Sequence, residues 1–187
     1  MILGSDKNWL QHLLFPKYVN WMKNICEANS PGFDSHHLIN QEEFNELYST
    51  LKTKYSFLVK DWPEVTDPSK FVFEDLAIAA YLIIIWRKDR IESSSKKLQT
   101  FVDLGCGNGL LVYILVQEGY EGCGYDLKRR NIWSTFPDNI ILHEKAVVPS
   151  DSSIFPETDW IIGNHSDELS VWIPIIASRR FTLIIYN

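Results

Sequence analysis

The chain has 187 residues, 45% of them hydrophobic and 22% charged, a balance that excludes global disorder and suits one ordinary domain with a helical extension. Its formal net charge of -6 supplies no general positive field, which excludes a strong stand-alone nucleic-acid binder unless basic residues cluster locally. Three widely spaced cysteines, Cys26, Cys106 and Cys123, form neither a disulfide framework nor a metal-ligand set, and they point to a reducing, intracellular compartment.

The first residues meet Asp6 and Lys7 too early for a secretory leader. Trp9, Leu10, Leu13, Leu14, Tyr18, Trp21, Met22 and Ile25 recur at spacings of three and four. They predict helical segments over 7–29, restarted at Pro16 and closed by the turn cluster Asn29-Ser30-Pro31-Gly32. His36 and His37 are adjacent and have no acid or thiol cluster beside them, so they read as a solvated loop and not as a metal site. Asn40 followed by Glu43 is a helix start, and Phe44, Leu47, Leu51 and Tyr55 continue it.

Trp62-Pro63 and Asp67-Pro68 predict an irregular connection. Lys70 to Arg90 then reads as a helix that is apolar almost all round towards its end, as a helix buried against a sheet must be. Glu74 and Asp75 lie near its start, where the helix dipole and solvent account for them. Its apolar run, Leu76 to Trp86, is about half the ~20 residues needed to cross a bilayer, so the protein reads as soluble. Polar residues 91–97 form a linker. The expected division is a helical extension over 1–69 and an α/β domain over 70–187.

From Leu98 onward short strands and helices alternate, which predicts a parallel sheet with right-handed crossovers. The strands are expected at 98–104, 122–126, 140–143, 160–163 and 181–186. Helices are expected from Asn108 or Gly109 to about Glu118, through 127–136, and near 168–178 with a break at Pro174.

The stretch Asp103-Leu104-Gly105-Cys106-Gly107-Asn108-Gly109 joins the first strand to its helix. A strand, a glycine turn and a helix in that order build a binding crevice at the strand's carboxyl end. Gly105 and Gly107 permit a sharp turn and close approach of a ligand, and Gly109 lets the helix start tightly. The spacing is G-x-G-x-G, neither the dinucleotide fingerprint nor a phosphate loop with its lysine, which points away from NAD and ATP. Asp126 ends the second strand, where an acid accepts hydrogen bonds from vicinal ribose hydroxyls or caps the following helix; its place beside the glycine turn favours the ribose.

The loop resembles the cofactor loop of class I S-adenosylmethionine-dependent methyltransferases. The longer stretches Phe101–Val112, Gly124–Trp133, Trp160–Leu169 with Trp172-Ile173-Pro174, and Lys70–Leu82 are similar to the tRNA (uracil-2′-O-)-methyltransferase family. That resemblance implies a Rossmann-like sheet of order 3-2-1-4-5-7-6, for which this chain supplies candidates for the first five strands. It also implies S-adenosyl-L-methionine as cofactor, a uridine ribose of serine tRNA as substrate, and a cytoplasmic location. If the chain is the complete product and not a fragment, the lack of the last two strands is expected to make cofactor binding weak and methyl transfer poor. A non-catalytic partner-binding module and a small-molecule or protein methyltransferase are the alternatives.

By the same resemblance, Asp103, Gly105, Gly107 and Gly109 line the methionine moiety, Asp126 holds the ribose, Cys106 and Asn164 also bind the cofactor, and the stretch from Asn164 to Asp167 stands where residues lie beside the transferred methyl. His143 stands at the adenine position or is a half-buried strand-end residue. His165 or Asp167 is the base for the attacking hydroxyl, or Asn164 and Asp167 hold the loop and cap the next helix. Lys128, Arg129 and Arg130 meet the RNA backbone or are solvated.

Overall fold

The computed structural model describes residues 39–148, 158–164, 166–178 and 183–186. The helical segments expected over 7–29 with their closing turn, Cys26, His36-His37 and His165 lie outside the described residues. Residues 38–187 cluster as one compact unit.

Helix α1 (Gln41–Tyr55) starts where the sequence places it. The Asn40 side chain accepts from the amides of Glu42 at 2.7 Å and Glu43 at 3.2 Å, satisfying two of the first-turn donors that lack intrahelical partners. Helix α2 (Pro68–Glu92) starts earlier than expected. Asp67-Pro68 is a helix start and not part of an irregular connection, because the Asp67 carboxylate accepts from Ser69 N at 2.9 Å and proline is preset for the first helical position. Among the described residues, no helix is long and apolar enough to cross a membrane.

The sheet comprises β1 (Thr100–Leu104), β2 (Glu121–Asp126), β3 (Ile141–Glu144), β4 (Trp160–Gly163) and β5 (Leu183–Tyr186). They are parallel and ordered β3-β2-β1-β4-β5, matching the first five positions of the expected order. Helix α3 (Leu110–Gln117) joins β1 to β2, and α4 (Ile173–Ser178) lies between β4 and β5. A 3₁₀ turn, Asp167–Val171, and Trp172 precede α4, so the expected break falls just before Pro174.

One expected helix is corrected. Residues 127–136 hold only a 3₁₀ turn, Asn131–Thr135. The Asp126 carboxylate holds the amide of Lys128 at 2.9 Å, a local turn that competes with helix initiation. Leu127, which would anchor a buried helix face, is 77% exposed.

Sheet pleat sorts the apolar side chains to two faces. Phe101 of β1 with Trp160 and Ile162 of β4 packs against α1, α2 and α3 through Leu51, Tyr55, Leu76, Ala80, Leu110 and Ile114. Val102, Leu104 and Ile161 face the other way, onto Ile173, Ile176 and Ala177 of α4. Trp86 of α2 centres the first layer, with its ring centroid 4.7 Å from Tyr120, 5.8 Å from Phe101 and 6.1 Å from Trp160. Register aligns the carboxyl ends of the strands: Asp103 pairs with Gly124 and Ile162, and Asp126 with Glu144. The chain switches direction across the sheet between β1 and β4, and a crevice at such a switch point is where open α/β sheets bind ligands.

Candidate cofactor site

The loop from Asp103 to Gly109 crosses this switch point. Gly105, Gly107 and Gly109 have φ of +79°, +51° and +72°, a left-handed conformation that L side chains resist by roughly 1–2 kcal/mol per residue. At Gly109 the constraint is also steric, since an added Cβ would lie 2.6 Å from Leu142 Cδ1 and 3.2 Å from Trp133 Nε1. At Gly107 the opposite holds: nothing lies within 4 Å of such a Cβ, and this glycine borders open space.

The loop amides are occupied. Gly105 N and Cys106 N both donate to Tyr125 O, at 2.8 and 3.0 Å, and Gly109 N donates to Cys106 O at 2.8 Å. Gly107 N donates to Asp126 Oδ2 and Leu110 N to Asn108 Oδ1, each at 2.8 Å. A phosphate cradle needs such amides aimed at the ligand. Here five of them are turned inward.

Acids border the loop instead. Asp103 is 2% exposed, and its Oδ1 has no hydrogen-bond partner. Burial pushes its pKa well above the usual carboxylate range, and the charges of Asp75 and Asp126 push it further. Burial, and then the same Asp103 and Asp126 charges, also hold the Cys106 thiol well above its usual range. Cys123 is pushed up to about 11, by burial and then by Asp103. Neither cysteine is therefore a nucleophile at neutral pH. A buried acid with an unused oxygen, a second acid one strand over and inward-turned amides suit a ligand with positive charge and hydroxyl donors. S-adenosylmethionine carries a sulfonium, an ammonium and a ribose diol, so the residues fit it.

A protein-family model described as "Predicted AdoMet-dependent methyltransferase" matches residues 38–149. The chain belongs to this family. S-adenosylmethionine dependence is thus the family's property as well as the site's fit. The chain is 50% identical over 171 residues to a probable tRNA (uracil-O(2)-)-methyltransferase of Xenopus laevis, covering 91% of this chain and 25% of that protein. It is 49% identical over 178 residues to the probable Homo sapiens enzyme of the same name, covering 95% of this chain and 23% of that protein. The Drosophila melanogaster relative, also a probable tRNA (uracil-O(2)-)-methyltransferase, is 46% identical over 182 residues, with 94% and 34% covered. The chain therefore spans a quarter to a third of the length of these relatives.

Within this methyltransferase fold, the residues singled out in the sequence fall into four groups. Asp103, Gly105, Cys106, Gly107, Gly109 and Asp126 come together, with Gly107 and Asp126 in direct hydrogen-bond contact. Asn164 follows β4 and is half-buried, and Asp167 opens the 3₁₀ turn. Ser166 abuts the glycine loop, since a Cβ on Gly105 would lie 3.2 Å from that of Ser166. Lys128 and Arg129 are exposed, whereas Arg130 reaches back to within 3.9 Å of Asp126 Oδ1. His143 stacks on Tyr125, with centroids 4.5 Å apart.

Two participants were not legible. Asp75 sits eight residues after the Asp67 cap and is 9% exposed, so neither the helix dipole nor solvent accounts for it; it faces the charge of Asp103. Its setting among Val72, Leu76 and Ala79 was the available signal, because an acid flanked by core positions is itself buried. Trp133 was the other. Its indole N–H donates to Gly107 O at 3.0 Å, a contact across 26 residues for which the sequence carries no local mark.

Proposed function

We propose that this chain is the cofactor-binding portion of a tRNA methyltransferase that transfers a methyl group from S-adenosylmethionine to a ribose 2′-hydroxyl of a uridine in serine tRNA. The observation that carries the cofactor reading is the buried, unpartnered Asp103 carboxylate oxygen beside a left-handed glycine loop. The substrate reading rests on the relatives' names and on the sequence resemblance.

When bound, the cofactor supplies an electrophilic methyl on a sulfonium. The chain's own residues align and balance charge around it. Asp103 offsets the cofactor's positive charge from a buried position, where a charge interaction is less screened than in water. Asp126 keeps spare acceptor capacity for hydroxyl donors, since each carboxylate oxygen has two lone pairs and each holds only one amide here. Ser166 lies against Gly105, and its chain neighbours His165 and Asp167 are the candidate bases for the ribose proton.

The decisive experiment is methyl transfer from labelled cofactor onto a panel of purified tRNAs, with the modified nucleoside identified by mass spectrometry. The expected product is 2′-O-methyluridine in serine tRNA. A labelled base, or label in protein after nuclease treatment, would refute the substrate reading. Asp167→Asn and His165→Asn are each expected to keep cofactor affinity, and the true base variant to lose at least about 100-fold in rate, the usual contribution of a general base.

A further inference from the structure

Gly107 is held from two sides by the chain's own residues. Asp126 takes its amide, and the Trp133 indole takes its carbonyl. Trp133 is in turn fixed from outside the sheet. The backbone amide of its neighbour Ile132 donates to Glu64 Oε1 at 2.9 Å, across 68 residues, and the Asn131 side chain reaches Glu64 Oε2 at 3.5 Å.

Glu64 lies in the connection between α1 and α2, and that connection is itself fastened. Trp62 stacks on Phe71 of α2 with centroids 6.3 Å apart, and its indole N–H donates to Thr66 Oγ1 at 3.1 Å. A path therefore runs from Phe71 of α2 by ring contact to Trp62, along the chain to Glu64, and by hydrogen bonds through the 131–135 turn to the carbonyl of Gly107. Nothing in the chemistry of a cofactor requires Glu64. Its role is to fix the 131–135 turn, which lacks a regular helix to hold it.

We propose that Glu64 and Trp133 are positioning residues: together they brace the glycine loop, so that cofactor affinity is set in part from the segment ahead of α2. The inference rests on the cofactor reading above. A loop fixed before binding loses less conformational freedom on binding, which raises affinity without adding any contact.

The test uses the whole chain with three single variants, Trp133→Phe, Glu64→Ala and Glu64→Gln, and the double variant Trp133→Phe/Glu64→Ala. Phenylalanine keeps the packing and removes only the indole N–H. Glutamine keeps an acceptor for Ile132 N and alanine does not. Two readouts are taken: calorimetric affinity for S-adenosylhomocysteine, and amide hydrogen exchange of Gly107 in the ligand-free protein.

Trp133→Phe and Glu64→Ala are each expected to weaken binding and speed Gly107 exchange by about 2- to 12-fold, the worth of one ordinary hydrogen bond. Glu64→Gln is expected to restore both. The double variant is expected to be no weaker than the worse single one, because residues acting through one contact path are not additive. Exchange of the first-turn amides of α1, which open by local fraying that leaves the brace intact, is expected to stay unchanged. Additive losses, failure of glutamine to rescue, or equal acceleration in that first turn would overturn the brace. Should the wild-type chain fail to bind S-adenosylhomocysteine, the cofactor reading falls, and the exchange rates alone still decide the brace.

Discussion

At Gly107 two demands coincide, and a substitution series separates them. The backbone there is left-handed and the adjoining space is open, so an added methyl costs strain but meets no protein atom. Gly107→Ala is expected to lower stability by about 1–2 kcal/mol while the chain remains folded, and Gly107→Val to abolish S-adenosylhomocysteine binding because its branched side chain projects into the ligand's approach. Calorimetry beside a thermal melt checks this; full affinity in the valine variant would mean that the ligand does not pass Gly107. Asp103 poses the reverse trade. Burial and its two acidic neighbours hold its folded pKa above the usual 3.8, so the native state binds this proton more tightly than the unfolded chain does. Its contribution to stability is complete below about 3.8 and falls as pH rises towards the raised folded value. Asp103→Asn is expected to flatten that fall and to raise the neutral-pH melting temperature. The same variant is expected to lose cofactor affinity, because the charge that destabilises the empty site is the one a cationic ligand needs. A variant that melts lower at neutral pH, or retains full affinity, would contradict this assignment.

Elements were legible where local chemistry and burial agree. Asn40 caps α1 in the sequence and in the structure, and Asn40→Ala is expected to cost about 1 kcal/mol in urea unfolding, with little change in the slope. Strands β1, β4 and β5 read correctly because each is a largely apolar run bounded by turn residues, while β2 and β3, which carry glycines and acids, were placed by the alternation of strands and helices; their order in the sheet came from the family resemblance alone. The 127–136 segment did not, since its apolar spacing resembles a helix while Asp126 spends its carboxylate on the loop and on Lys128 N. The start of α2 was missed for a related reason: Asp67-Pro68 signals a break in one setting and a capped first turn in another, and only the Ser69 amide decides. The site divides in the same way. Its glycines and Asp126 carry a fixed spacing that sequence displays, whereas Glu64, Asp75 and Trp133 act through contacts that close only when α2 lies over the sheet.

For the whole molecule the question is how a chain with a net charge of -6 would meet a polyanion. The sequence offers Lys128, Arg129 and Arg130 as one basic cluster beside the crevice, and the structure distinguishes among them. Arg130 is turned back towards Asp126 at 3.9 Å, a partly exposed pair whose worth is about 0–1 kcal/mol, so RNA can recruit it at little cost. Lys128 and Arg129 already face solvent. At most three phosphates can then be neutralised here, and counterion release predicts a salt slope for RNA binding no steeper than about -2 to -3, from roughly -0.7 to -0.9 per phosphate. Replacing all three residues with alanine is expected to bring the slope of log affinity against log salt close to zero while S-adenosylhomocysteine affinity stays within about twofold, since Lys128 contacts Asp126 through its backbone amide and alanine keeps that amide. Fluorescence anisotropy with labelled serine tRNA between low and physiological salt measures the slope. A slope that survives the triple substitution would move the RNA contact to another surface of the chain, and a slope much steeper than three phosphates allow would require basic residues beyond this cluster.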